Sequence, residues 1–169
     1  MLYIIDANNL AGQLGLLGQD DFDKRLLARL KAYFHNRACK VFLVFDSLDP
    51  MGDRFRDGSF EVIRTPRDDF YANADDKVLE IVGEFLVNDD FKDDVSVVTD
   101  DCDLQEKVRS AIAYHARKRL VKVIRATDFS RRLRDGEERI ASAGLTDKTE
   151  AENDSDSLKE ELLKRWGEH

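Results

Sequence analysis

The sequence predicts an α/β domain of three layers, with helices on both faces of a mostly parallel central sheet of about five strands. Three observations predict it. Short, almost continuously apolar runs such as "LYIID", "VFLVF" and "VSVVT" recur along the chain, as expected of strands buried on both faces. Stretches with apolar residues at helical spacing alternate with them, which is what crossover helices between parallel strands require. At 169 residues the chain is long enough for one domain with a sizeable core.

Leu2–Asp6 is the first strand. "GQLGLLG" follows it, without the spacing of a phosphate-binding loop, and is expected to be a mobile loop over one edge of the strand ends. From Asp20 to Asn36 a helix is predicted, because Phe22, Leu26, Leu30 and Tyr33/Phe34 recur on one face. Val41–Phe45 is the second strand. "SLDPMGDRFRDGS" is expected to be a loop, with Pro50, Gly52 and an Asp57-Gly58 turn. Phe60–Arg64 is a weaker strand. Asn73 then caps a helix running through Val87, with Val78, Leu79, Val82, Phe85 and Leu86 as its apolar stripe. Val95–Thr99 is the next strand, followed by a helix from Asp103 to His115 and a strand at Leu120–Ile124. Thr127 is expected to cap a short basic helix ending near Gly136. Residues 1–135 thus form the domain. Residues 136–156 form an acidic linker, and 157–169 a C-terminal amphipathic helix with Ser157 and Glu160 in capping-box register.

Composition narrows the class. Hydrophobic residues make up 42% and charged residues 37%, as in a folded soluble domain rather than a disordered chain. No apolar stretch approaches the roughly 20 residues needed to span a bilayer, and no secretory pattern opens the chain. Cys39 and Cys102 show neither metal spacing nor a disulfide framework, which points to a reducing cytoplasm. The net charge of −8 is unevenly spread. Residues 135–169 carry 5 basic and 11 acidic groups, a net −6, whereas 107–134 carry 10 basic residues against Asp128 alone. A basic flank is therefore hidden behind an acidic tail, and a polyanionic partner is not excluded.

The chemistry lies in the acids. Three apolar runs deliver an aspartate at or just past their ends, namely Asp6, Asp46 and Asp101. In an open α/β sheet, functional groups gather beyond those ends. Asp75 and Asp76 open a helix, where the helix dipole alone would account for a carboxylate. Brought to one sheet edge, these groups repel one another unless a cation compensates them. Oxygen ligands without clustered His or Cys point to Mg²⁺ or Mn²⁺, and such an ion can activate water for attack on a phosphodiester. Asn9, three residues after Asp6, serves either as a partner of Asp6 or the phosphate, or as a turn-forming amide.

Four motifs in order carry a resemblance. "IIDANNL" resembles the Asp-x-x-Asn opening of NYN domains, members of the PIN-like nuclease superfamily, and "VFLVFD" resembles their second strand. "NADDKVLEIV" is similar to their acidic helix start and "VVTDDCDLQ" to their Thr-x-Asp-x-x-Leu signature. The likeness spans about residues 2–135 and is nearest to the YacP-like NYN proteins, small bacterial ribonucleases. It implies a PIN-like (Rossmann-like) fold and metal-dependent endonucleolytic cleavage of RNA. It further implies Asp6, Asp75 and Asp101 as metal ligands and Asn9 and Asp76 as supporting catalytic residues. Asp46 and Asp103 would be second-tier acids. The sequence departs from the pattern in placing Asp100 directly before Asp101, which leaves Asp100 as another candidate acid. It departs again in the "DRFRDG" segment after Asp46.

For substrate grip, Arg54, Arg56, Arg64 and Arg67 are interleaved with Phe55, Phe70 and Tyr71. Arginine for phosphate and aromatics for stacked bases suit single-stranded RNA; the same residues can equally be solvated charges and core rings. The expectation is a cytoplasmic ribonuclease of single-stranded RNA using Mg²⁺ or Mn²⁺, with the ribosome as a further candidate partner and no membrane. The alternative is a catalytically weak or inactive RNA- or ribosome-binding module with the same fold. A DNA flap nuclease would need extra helical elements, and an acidic-site phosphatase a different acid pairing than "DAN".

Overall fold

The computed structural model describes residues 1–68, 70–88, 93–115, 121–139 and 142. In chain order the elements are β1 (Leu2–Asp6), α1 (Ala7–Gln13), α2 (Phe22–Phe34), β2 (Lys40–Asp46), β3 (Asp53–Asp57) and β4 (Phe60–Thr65). They continue with α3 (Ala74–Val87), β5 (Val95–Val98), α4 (Cys102–Tyr114) and β6 (Val121–Ile124). A further helix, α5, occupies residues 126–139. The chain divides into two compact units, Met1–Leu133 and Arg134–His169. The sheet lies wholly in the first, and of the second only the end of α5 and residue 142 are described.

The strand order is β3-β4-β2-β1-β5-β6, and every pair is parallel except β3 with β4. β1 lies in the interior of the sheet, paired with β2 on one side and β5 on the other. Alternate residues of each strand feed opposite faces. On one face Ile5, Val41, Leu43 and Phe45 meet Leu10, Leu26, Leu30, Phe129 and Leu133 from α1, α2 and α5. On the other, Leu2, Ile4, Phe42, Val44 and Val97 meet Val78, Val82, Leu86, Leu104 and Val108 from α3 and α4. Three layers result. The chain leaves β1 towards β2 and later enters β5 on β1's other side, so the strand order reverses at the carboxyl ends of β1 and β5. That is where such sheets open a crevice.

Four expectations need correction. The sheet, expected to hold about five strands, has six, and the correction is to the segment expected to be a loop: Asp53–Asp57 forms the antiparallel edge strand β3. All five of its residues are exposed, so no burial pattern marked it; charged residues on a sheet edge also discourage pairing with another chain. The turn that returns it is set by Gly58 at φ 63°. Second, α1 stands where no helix was expected. Its N-cap is Asp6, whose side chain accepts the Asn9 N–H. Third, the glycine-bearing segment after α1 is tied down rather than loose. Leu16 is buried in the core, and its N–H bonds to the Ala11 carbonyl at 2.9 Å. Fourth, α5 starts at Ala126, so Thr127 lies inside the first turn, and the helix runs through residue 139 into the stretch expected to be linker. The remaining linker residues apart from 142, the 157–169 helix and Arg117, Lys118 and Arg119 lie outside the described residues. Among the described residues, no helix is long and apolar enough to cross a membrane.

Phe129 is the anchor of the first face, fully buried with its ring 5.6 Å from that of Tyr33 and 6.0 Å from that of Tyr3. Phe129→Ala is expected to lower unfolding free energy by about 3–5 kcal/mol, whereas Phe70→Ala, at an 84% exposed ring, should change it by less than about 0.5 kcal/mol. Urea unfolding midpoints of the two variants check the contrast.

Candidate active site

The site is assembled at the strand ends. Asp6 closes β1 and caps α1, its Oδ1 accepting the Asn9 N–H at 3.1 Å. Its Oδ2 accepts the Thr99 hydroxyl at 3.0 Å. The Thr99 Oγ1 in turn accepts the Asp101 N–H at 3.0 Å, and Asp101 caps α4 by accepting the Leu104 N–H at 2.8 Å. One hydroxyl therefore couples the carboxylate leaving β1 to the backbone of the aspartate that follows β5. Gln105 holds the Thr99 carbonyl at 3.0 Å.

The paired asparagines behind Asp6 have separate tasks. Asn8 Oδ1 accepts the Asp46 N–H at 3.1 Å and so fixes the end of β2. Asn9 Oδ1 accepts the Asp100 N–H at 3.0 Å and fixes the segment after β5. α1 thereby ties the ends of β2 and β5 to β1. Asp46 Oδ1 accepts the Ala74 N–H at 2.7 Å, bringing the first turn of α3 to the same edge. Asn73 caps that helix through the Asp75 and Asp76 N–H groups, and Asp76 turns back to accept the Ala72 N–H at 2.9 Å. Asp75 is left with no hydrogen bond to its carboxylate among the described residues.

These carboxylates feel one another. Burial pushes the Asp6 carboxyl up to about 6; the Asn9 and Thr99 hydrogen bonds oppose the shift, and the charges of Asp75 and Asp46 add to it. Burial also raises Asp75, followed by the charges of Asp101 and Asp46. Lys107 works against that rise, and Asp76 adds a smaller push. Asp6, Asp46, Asp75 and Asp101 thus share one field, with Asn9 among them. Asp100 does not join it. Burial raises its carboxyl, but bonds from the Thr127 hydroxyl, the Thr127 N–H at 2.9 Å and Arg125 outweigh that and leave it below the ordinary range. Of the adjacent pair, Asp101 is the one whose charge reaches Asp75. Asp103 is exposed in the first turn of α4.

The four arginines divide. Arg54 is paired with Glu61, and Arg64 bridges Asp23 at 2.5 Å and Asp53 at 3.0 Å. Arg54 and Arg56 sit on β3 opposite Ile63 and Glu61, so they do not lie on a loop at the end of β2; β3 runs away from the aspartates towards the turn at Gly58. Arg67 follows β4 at the aspartate end, exposed and without an acidic side-chain partner among the described residues. Asn8 and Gln105 were not singled out from sequence and had no signal of their own; Thr99 was visible only as the Thr of the Thr-x-Asp-x-x-Leu signature, and Lys107 only as the first residue of the basic flank 107–134.

Among the described residues, no three His, Cys, Asp or Glu side chains converge closely enough to hold a metal ion as they stand. The donor chemistry fits a hard divalent ion, being all oxygen, with Asp75 uncommitted and the ionised forms of Asp6 and Asp75 disfavoured by burial and their neighbours.

A pH dependence follows for the metal-free protein. Folded Asp6 titrates near 6 instead of its ordinary 3.8, so between those values the folded chain binds more protons, and its contribution to stability falls as pH rises. A shift of about two units corresponds to about 3 kcal/mol, and an amide at position 6 would leave the Thr99 proton without its acceptor, returning about 1 kcal/mol. In EDTA, Asp6→Asn is therefore expected to be more stable than wild type by about 1–2 kcal/mol near about pH 7.5, with the gain shrinking by about pH 4.5. Urea unfolding at the two pH values measures it; a pH-independent difference would contradict the burial of a charged Asp6.

Comparison with known proteins agrees with this architecture. Among solved structures, the chain is similar to the crystal structure of a mutant of Rae1 (YacP) from Bacillus subtilis, with a TM-score of 0.59 and 21% identity. The match covers 84% of this chain and 79% of that one, a likeness of fold. No curated protein matches. The family model of the YacP-like NYN domain matches residues 3–169. The chain therefore belongs to the YacP-like NYN family, whose domain is of the ribonuclease type.

Proposed function

We propose that the protein is a metal-dependent endoribonuclease of the cytoplasm that cleaves single-stranded RNA at the edge where Asp6, Asp46, Asp75 and Asp101 meet. The observation that carries the reading is the raised carboxyl of Asp6, buried yet hydrogen-bonded as an anion by Asn9 and Thr99, with two further carboxylates acting on it. A structural cap has no use for that repulsion; a cation site has.

Asp6, Asp75 and Asp101 would hold Mg²⁺ or Mn²⁺, with Asp46 alongside. When bound, such an ion supplies an activated water and neutralises charge on the leaving oxygen. The chain's own groups do the rest. Thr99 holds Asp6 in place and orients the turn of Asp101. Asn9, with its Oδ1 occupied by the Asp100 N–H, presents its amide N–H groups as donors for a phosphate oxygen. Arg67, without an acidic side-chain partner among the described residues, offers a cation on the β4 side. Phe70, exposed on the connection from β4 to α3, offers a face for an unstacked base, which favours a single strand over a duplex.

One observation favours the second reading, an RNA- or ribosome-binding module with little turnover: the aspartates do not converge on an ion as they stand. The experiment separates the two. Labelled single-stranded RNA and single-stranded DNA are incubated with pure protein in Mn²⁺, Mg²⁺ or EDTA. The expected result is RNA cleavage with either ion, none in EDTA, and a loss of about 10²-fold or more in Asp6→Asn and in Asp101→Asn. Millimolar Mn²⁺ should also raise the melting temperature of wild type and much less that of Asp6→Asn/Asp101→Asn. Binding without product in every condition would establish the module, and undiminished cleavage by either variant would remove the aspartates from the chemistry.

A further inference from the structure

A phosphodiester brought to this edge meets several carboxylates before anything else. A divalent ion offsets part of that charge, and side-chain cations must supply the remainder. Most cations around the edge are already committed. Arg64 is held by Asp23 and Asp53, Arg125 by Asp100, and Lys77 by Glu80 and Tyr71. Arg109 is bonded to Gln105.

Lys107 differs from all of these. It lies on α4, six residues beyond the cap Asp101 and one helical turn after Asp103, so it shares the outward face of that helix. It is exposed and makes no ion pair or hydrogen bond among the described residues. α4 packs against α3, and the Lys107 charge reaches Asp75 at the start of that helix. Its neighbours Leu104 and Val108 are fully buried, so the backbone that carries the ammonium is fixed while the ammonium has no partner among the described residues.

Building on the ribonuclease reading, we propose that Lys107 is the residue that grips a phosphate of the single-stranded RNA on the α4 side of the aspartates. Arg67 lies on the opposite side, past β4, with β2 and β1 between β4 and β5. Three strand spacings, on the order of 14 Å, separate the two flanks, so they meet different phosphates of one strand. The substrate then runs across the strand ends from Arg67 to Lys107, with the scissile phosphate between them.

The test measures binding of a labelled single-stranded RNA oligonucleotide in EDTA over a series of salt concentrations, together with KM and kcat in Mn²⁺. The proteins are wild type, Lys107→Ala, Lys107→Arg and Lys24→Ala. Lys24 is an ion-paired cation on α2, across the sheet from α4, and controls for net charge. Lys107→Ala is expected to weaken binding several-fold and to reduce the slope of log affinity against log salt by about 0.7, the value for one phosphate of a single strand. Its KM should rise more than its kcat falls. Lys107→Arg should retain the slope, and Lys24→Ala should match wild type. If Lys107→Ala keeps the wild-type affinity and slope while wild type binds and cleaves RNA, the grip lies elsewhere. An equal loss in Lys24→Ala would show an effect of net charge and overturn the assignment too. If wild type neither binds nor cleaves RNA, it is the ribonuclease reading that fails.

Discussion

The hydrogen bond from the Thr99 hydroxyl to Asp6 is the contact on which the carboxyl edge of the sheet depends. It joins the two strands between which the strand order reverses, and it is buried. A carboxylate at that depth loses hydration, and only fixed donors can replace the lost water. Asp6 has two of them, one from the first turn of α1 and one from the end of β5. The first is local, three residues along the chain, but the second comes from 93 residues away, so Asp6 acquires its full environment only when β5 stands beside β1. The same hydroxyl receives the Asp101 N–H, which sets where α4 begins.

Four aspartates of this edge are also joints between a strand and a helix. Asp6 and Asp101 cap α1 and α4, while Asp46 secures the start of α3 and Asp100 the start of α5. Helix starts favour carboxylates, so capping alone would explain why acids occur there. The direction of the pKa shifts separates the two uses. Asp100, which serves only as a joint, is held below the ordinary carboxylate range by its bonds to Thr127 and Arg125. Asp6 and Asp75 are driven above it, by burial first and by other carboxylates after that. A joint stabilises its charge; these two positions leave charge in excess.

Much of this was legible in the sequence because burial writes itself as periodicity. The strands of the inner sheet were visible as apolar runs, and α2, α3 and α4 as helical stripes, since each buries a face on which alternation or a 3.6-residue period must show. The acids stood out by ending those runs. What was not legible lacked such a face. β3 buries nothing, so "DRFRD" reads as loop, although its register to β4 is complete. α1 is seven residues long, and its two asparagines are poor helix formers taken up with tying strand ends. The roles of Asn8, Thr99 and Gln105 are contacts between residues as much as 93 positions apart, and no spacing rule reports those.

The net charge of −8 looks hostile to a nucleic-acid partner, but a sum over the chain is the wrong quantity at salt concentrations where fields fade within about 10 Å. What matters is which charges stand within that distance of the edge and which are already neutralised. Arg54 on β3 and Arg64 on β4 spend their charge on Glu61, Asp23 and Asp53 and so hold β3 and α2 to the sheet. Their contribution is to the scaffold. Among the described residues Asp6, Asp46, Asp75 and Asp101, by contrast, form no ion pair with a base, and their repulsion is relieved most by a small ion of charge two; a monovalent ion at the same distance gives half the Coulomb energy. The edge is thus built to be incomplete, rigid where Thr99, Asn8 and Asn9 fix its backbone and deficient in positive charge at its centre. That deficit distinguishes a site from a set of helix caps.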